Sequence, residues 1–187
     1  MSGCQDGMAV MKCIGALILL AATPAFAAVK SQTETSFDIV QTVTTKAPPA
    51  RAYAALRDVG HWWDGAHSFS HNALNLHFDL RAGGCLCETL PGGGGVEHLH
   101  IAAVLPQTMV ILHGGMGPLL PQAVSGAMTI SFKPAGAGTE ITWRYAVSGA
   151  FDGGAAKWAG PVDGVIGAQA ARLARYTDTG RPTADTK

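Results

Sequence analysis

The chain has 187 residues, 48% of them apolar and 14% charged, with thirteen basic side chains against thirteen acidic ones. That length suits one domain. The absence of net charge argues against nucleic acid or a polybasic membrane surface as a partner, since both need a basic face, and the apolar share is too high for a disordered chain.

The first segment reads as a targeting signal. Lys12 precedes an apolar run from Cys13 to Ala22, closed by Thr23 and Pro24, and Ala25-Phe26-Ala27 supplies a small-x-small cleavage site. The run is shorter than the ~20 apolar residues of a membrane span. The expectation is a signal peptide over residues 1–27, cleavage before Ala28, and a secreted or periplasmic protein with no stable membrane insertion afterwards. Cys4 and Cys13 leave with the signal, while Cys85 and Cys87 reach an oxidising compartment. A bridge between them would close a very small ring, which disulfide geometry disfavours, so two reduced, half-buried thiols are expected.

Residues 28–36 are expected to be flexible. Phe37, Ile39, Gln41 and Val43 then alternate with Asp38, Val40 and Thr42, a strand pattern. Pro48 and Pro49 open a short helix over Ala50 to Arg57. His61 to Asn72 reads as an aromatic loop, and Leu74 to Leu80 alternates as a second strand. Cys85–Leu90 and Val96–Val104 flank Pro91 and four glycines, the pattern of a β-hairpin. Thr108–His113, Met128–Lys133 and Ile141–Val147 are three further strands. Trp158, Val162, Val165, Ile166, Gln169, Leu173 and Tyr176 recur at spacings of three and four, one stripe of a long helix, with Pro161 near its start. Residues 179–187 are expected to form a flexible tail.

The order predicts an α+β fold: a curved antiparallel sheet of about six to seven strands, residues 37–178, wrapped around one long C-terminal helix. The segments APPARAYAAL, HWWDGAHSFS, RAGGCLCETLPGGGGVEHLHI, GGMGPL and VDGVIGAQAARLARY resemble the START-like, or SRPBCC, superfamily with its helix-grip fold. Within it the chain is similar to the branch of heat-shock chaperone ATPase activator-like and polyketide cyclase/dehydrase proteins. The resemblance implies a cavity between sheet and helix, and members use that scaffold for lipids, hormones, polyketides or protein partners.

Three groups of residues could carry chemistry. All seven histidines lie between His61 and His113. An even hairpin register would set Cys85 opposite His100 and Cys87 opposite His98, a set of ligands that zinc accepts. Two flat strands do not converge on a tetrahedron, so cross-strand packing is the expected role and no metal or other cofactor is expected. The segment of Trp62, Trp63, Asp64, His67 and Phe69 reads as a cavity lid or as a plug of the sheet, with Trp63 as plug and Trp62 as rim serving both. The same register places Glu88 and Glu97 on one face. There they would be an acid–base pair of raised pKa, unless both lie at the solvated end of the hairpin, which is the expected arrangement.

The function expected is the binding of a small hydrophobic molecule. Leu76, Phe78, Met128, Ile130, Trp143 and Tyr145 would line the cavity, Val162, Ile166 and Gln169 would close it, and Trp62, Trp63 and His67 would cover it. The alternatives are a cyclase- or dehydratase-type enzyme using Glu88, Glu97 and histidines, and an envelope module that binds protein partners without a ligand.

Overall fold

The computed structural model describes residues 28–184, so the expected signal over residues 1–27 lies outside the described residues. Eight strands form one antiparallel sheet in the order β1-β2-β8-β7-β6-β5-β4-β3. They are β1 Ala28–Gln32, β2 Ser36–Thr45, β3 Leu76–Phe78, β4 Cys85–Thr89, β5 Gly95–Leu105, β6 Met109–His113, β7 Ala123–Ala135 and β8 Gly138–Ala150. Two short helices, α1 Pro49–Ala55 and α2 Val59–Trp62, occupy the connection from β2 to β3, and the long helix α3 Ala156–Thr179 follows β8. This is the expected α+β helix-grip arrangement.

Two boundaries differ from expectation. Residues 28–32, expected to be flexible, form a strand: β1 pairs with β2, Gln32 opposite Phe37, and so covers that strand's outer edge. The strand expected from Leu74 begins only at Leu76, because Asn72 accepts a hydrogen bond from the Leu74 amide (3.1 Å) and winds Ala73–Asn75 into a 3-10 turn.

Period-two alternation sends Phe37, Ile39 and Gln41 of β2 inward, with Met128, Ile130 and Phe132 of β7 and Ile141, Trp143 and Tyr145 of β8. Burying each large apolar side chain contributes about 1.5–3 kcal/mol. On α3, Ala159, Asp163, Ile166, Ala170 and Leu173 form the buried line. The helix ends at Gly180, whose φ of 73° suits glycine and whose amide bonds the Tyr176 carbonyl at 2.8 Å. The segment expected as a flexible tail thus starts with a helical residue, Thr179.

Helix α3 lies chiefly against β2, with further contact to β1, β8, α1 and α2. The concave face toward β4 and β5 is left to loops and to the first turns of the helix. Among the described residues no helix is long and apolar enough to cross a membrane.

Candidate functional site

The β4–β5 hairpin does not keep an even register. Cys85 faces His100 and Leu86 faces Leu99, but Cys87 faces Glu97, so His98 is the extra residue of a β-bulge. A one-residue slip exchanges the faces of everything beyond it. His98 therefore turns inward beside Leu99, 5% and 1% exposed, while Glu97 turns to solvent. This corrects the even register, which placed His98 opposite Cys87 and put Glu88 and Glu97 on a common face.

Cys85 and Cys87 share the outer face of β4 and are joined in a disulfide, their Cα atoms 5.4 Å apart. That corrects the expectation of two reduced thiols: residues i and i+2 of a strand point the same way, which brings the sulfurs together. The set Cys85, Cys87, His98 and His100 does not assemble, because the bulge sends His98 to the opposite face. The ligand atoms that do gather are those of His77, Cys85 and Cys87, within 4.8 Å of one another. While bridged, the two sulfurs offer no thiolate to a metal.

Glu88 lies inside, 1% exposed, not at a solvated hairpin end. Its Oε1 accepts the Ser70 amide at 2.6 Å, and its Oε2 accepts the Phe69 amide at 3.0 Å and His98 Nε2–H at 2.9 Å. Burial alone would raise its pKa, but the hydrogen bonds from Ser70, Phe69 and His98 outweigh burial and bring it down from 4.5 to about 2. The shift is opposite to the raised value expected of a catalytic acid in an apolar cavity. An ionised carboxylate has no proton to give at neutral pH, so its role is to clamp residues 69–70 and to orient His98.

The aromatic pair precedes the clamped segment in the chain. Trp62 ends α2 and is buried, its indole donating to the Ala55 carbonyl at 2.8 Å and meeting Trp143 edge-on at 6.1 Å. Trp63 donates to the His67 carbonyl at 3.0 Å. Trp62 is thus the plug and Trp63 the pocket wall, the reverse of the expected division. Arg172 of α3 holds both backbone carbonyls, Trp62 at 2.7 Å and Trp63 at 3.2 Å.

A second loop, residues 114–121, is tied down from the core in the same way. The Tyr145 hydroxyl donates to the Gly114 carbonyl at 2.7 Å and accepts the Met116 amide at 3.0 Å. Burial pushes this phenol up to about 12, against a smaller opposing effect of the Met116 amide. A Cβ on Gly126 would stand 2.5 Å from the Tyr145 ring and 2.6 Å from the Gly114 oxygen, so only glycine admits this contact.

Between these loops, β3–β5 and the start of α3 lies a pocket of about 900 Å³. Leu76, Leu86 and His98 line it from the strands, Trp63 and Phe69 from the connection between β2 and β3, Met116 and Leu120 from the loop after β6, and Trp158, Val162 and Val165 from α3. Phe69 and Leu120 are large apolar side chains left 49% and 40% exposed. An apolar surface of that kind marks a binding site more often than scattered exposed residues do.

Of the residues expected at a cavity, Trp63, His67, Leu76 and Val162 line this pocket. Trp62, Phe78, Met128, Ile130, Trp143, Tyr145, Ile166 and Gln169 are buried in packed core instead. Helices α1 and α2 fill the space above β7 and β8, with Tyr53 against Phe132 at 5.8 Å and Trp62 against Trp143. Gln169 accepts the Asp64 amide at 2.9 Å through its Oε1. Phe69, expected in the lid segment, lines the pocket, while Met116, Leu120 and His98 went unassigned as wall residues. Met116 and Leu120 did carry a signal: each is apolar in a glycine- and proline-rich loop that has no strand period to send it into a core. His98 carried none, because its direction depends on the bulge.

No curated protein matches this chain. Solved structures share its fold at low identity. A conserved protein of unknown function from Enterococcus faecalis is 11% identical over 83% of this chain and 77% of its own, with a TM-score of 0.55. CalU16 from Micromonospora echinospora is 15% identical over 80% and 79%, with a TM-score of 0.54. The Aha1 dimer from Colwellia psychrerythraea is 15% identical over 76% and 97%, with a TM-score of 0.51. The family model described as polyketide cyclase / dehydrase and lipid transport matches residues 36–178, the whole of the sheet beyond β1 and nearly all of α3. The chain therefore belongs to the polyketide cyclase / dehydrase and lipid transport family of the SRPBCC superfamily.

Proposed function

We propose that this protein is an exported carrier or receptor for a small hydrophobic molecule, held in the pocket between the β3–β5 end of the sheet and the first turns of α3. The observation that carries the reading is the pocket itself. Its volume of about 900 Å³ falls in the range of small-molecule sites, and its walls are mostly aliphatic and aromatic. Trp63, His67, Leu76 and Val162 are proposed contacts, joined by Phe69, Leu86, Met116 and Trp158. The two loops that complete the walls are fastened to the core through Glu88 and Tyr145, which supports a preformed site rather than one assembled on binding.

The binding reading is favoured over an acid–base enzyme built on Glu88 and Glu97, because Glu97 faces solvent and Glu88 is held ionised with both oxygens engaged. Export rests on the signal layout of residues 1–27, and sequencing of secreted protein should find Ala28 first. The binding reading is tested with Nile red, an apolar dye that fluoresces when desolvated, and by native mass spectrometry of protein from its own compartment. Saturable dye binding or a co-purifying apolar molecule is expected. A chain that binds no dye and carries no molecule would remove the reading.

A further inference from the structure

Four polar side chains line the pocket: His67 and His71 are exposed, Ser68 Oγ donates to the Gly65 carbonyl at 2.9 Å, and His98 is buried on the sheet. His98 lines the pocket while being almost fully buried, and it is there only because β5 spends an extra residue on a bulge. Bulges commonly re-aim a side chain at a functional site. Its Nε2 is committed to Glu88 at 2.9 Å. Its Nδ1 has no hydrogen-bond partner among the described residues, and it is not sealed in the core either: the sealed polar atoms without partners are Trp143 Nε1 and Gln169 Nε2. The ring also packs against Phe69, 5.6 Å between centroids, so it is held on two sides. An oriented imidazole thus has one nitrogen without a partner at a pocket that Leu76, Leu86 and Phe69 also line.

We infer that the ligand of this pocket is an apolar molecule bearing a hydroxyl group, phenolic or alcoholic, which hydrogen-bonds His98 Nδ1. The inference rests on the binding reading above and deepens it. Since Glu88 accepts a hydrogen bond from Nε2–H, a neutral His98 presents Nδ1 as an acceptor, and a cationic one presents Nδ1–H as a donor. A hydroxyl is both donor and acceptor, so it satisfies either state. A carbonyl or an ammonium satisfies only one, and a hydrocarbon satisfies neither. Glu88 acts here as a positioning residue: it fixes which nitrogen is free and where the ring points.

The test compares two probes of nearly equal shape, naphthol and methylnaphthalene, by displacement of Nile red. A wall without a hydrogen-bond partner favours the methyl compound, because the hydroxyl gives up its water for nothing. The expected result is the reverse: naphthol displaces dye at concentrations lower by about tenfold or more. His98→Phe should erase that preference, and His98→Gln should keep part of it, since its amide can donate to Glu88 and leave its oxygen to the pocket. NMR of the wild-type imidazole nitrogens needs no variant: naphthol should shift His98 Nδ1, and methylnaphthalene should not. Equal displacement by the two probes, a preference that survives His98→Phe, or an unmoved Nδ1 resonance would each overturn the inference while leaving the apolar pocket in place. Failure of both probes and of the dye would overturn the inference and the binding reading together.

Discussion

Glu88→Gln puts a number on the clamp that holds the pocket wall. The substitution keeps shape but not chemistry. Three N–H donors, from Phe69, Ser70 and His98, converge on the carboxylate, and a glutamine amide would turn its own NH₂ toward one of them. The wild-type carboxyl falls from 4.5 to about 2 on folding. At 1.36 kcal/mol per pKa unit, that difference is worth about 3 kcal/mol at neutral pH. The sign follows from the depressed pKa. The stabilisation is complete above the unfolded value and is lost as pH falls through the folded one, leaving about 1 kcal/mol at pH ~3. The variant has no carboxyl at this position and lacks the contribution at every pH. Urea unfolding followed by tryptophan fluorescence should therefore show wild type ahead by about 3 kcal/mol at pH ~7 and by about 1 kcal/mol at pH ~3. In melting temperature the neutral gap is roughly 6–12 °C for a domain of this size. A gap under about 1 kcal/mol at neutral pH, or one that stays the same on acidification, would refute the clamp.

Met128 is fully packed, so Met128→Trp should overfill the core, cost about 1–3 kcal/mol or more, and melt the domain earlier. Val162→Trp reaches into the pocket instead, and should block Nile red binding with little change in melting temperature. Tyr145→Phe leaves the Gly114 carbonyl and the Met116 amide without their partner, for a loss of about 1–3 kcal/mol in a thermal melt. In wild type, ultraviolet titration should find one of the three tyrosines un-ionised until about pH 12. Peptide mapping without reduction should recover Cys85 and Cys87 bridged, and Cys85→Ser/Cys87→Ser should lower unfolding stability by only about 1–2 kcal/mol, because the loop it opens is so short.

Much of this fold was legible in the sequence because alternation and three-four spacing are local properties. Met128-Ile130-Phe132 and Ile141-Trp143-Tyr145 point inward in any sheet that has a core, and the stripe on 158–176 has to cover something. Even so, that stripe divided in a way its spacing could not show. Ile166 and Leu173 entered the core, whereas Trp158, Val162 and Val165 became pocket wall, because α3 leans on β2 and leaves the β4–β5 side open. The residues at the site depended on contacts distant in sequence. Glu88 is an inward, ionised clamp only because the 68–70 loop, 18 positions earlier at Ser70, brings its amides to that carboxylate. His98 faces the pocket because a bulge shifts β5 by one residue against β4. Trp62 became the plug because α2 delivers it against Trp143, 81 positions later in the chain. Periodicity records which side chains are apolar and how often, so it determines strands, helix and core. Which polar group is buried depends on whether its partners arrive, and only the assembled tertiary structure brings them there.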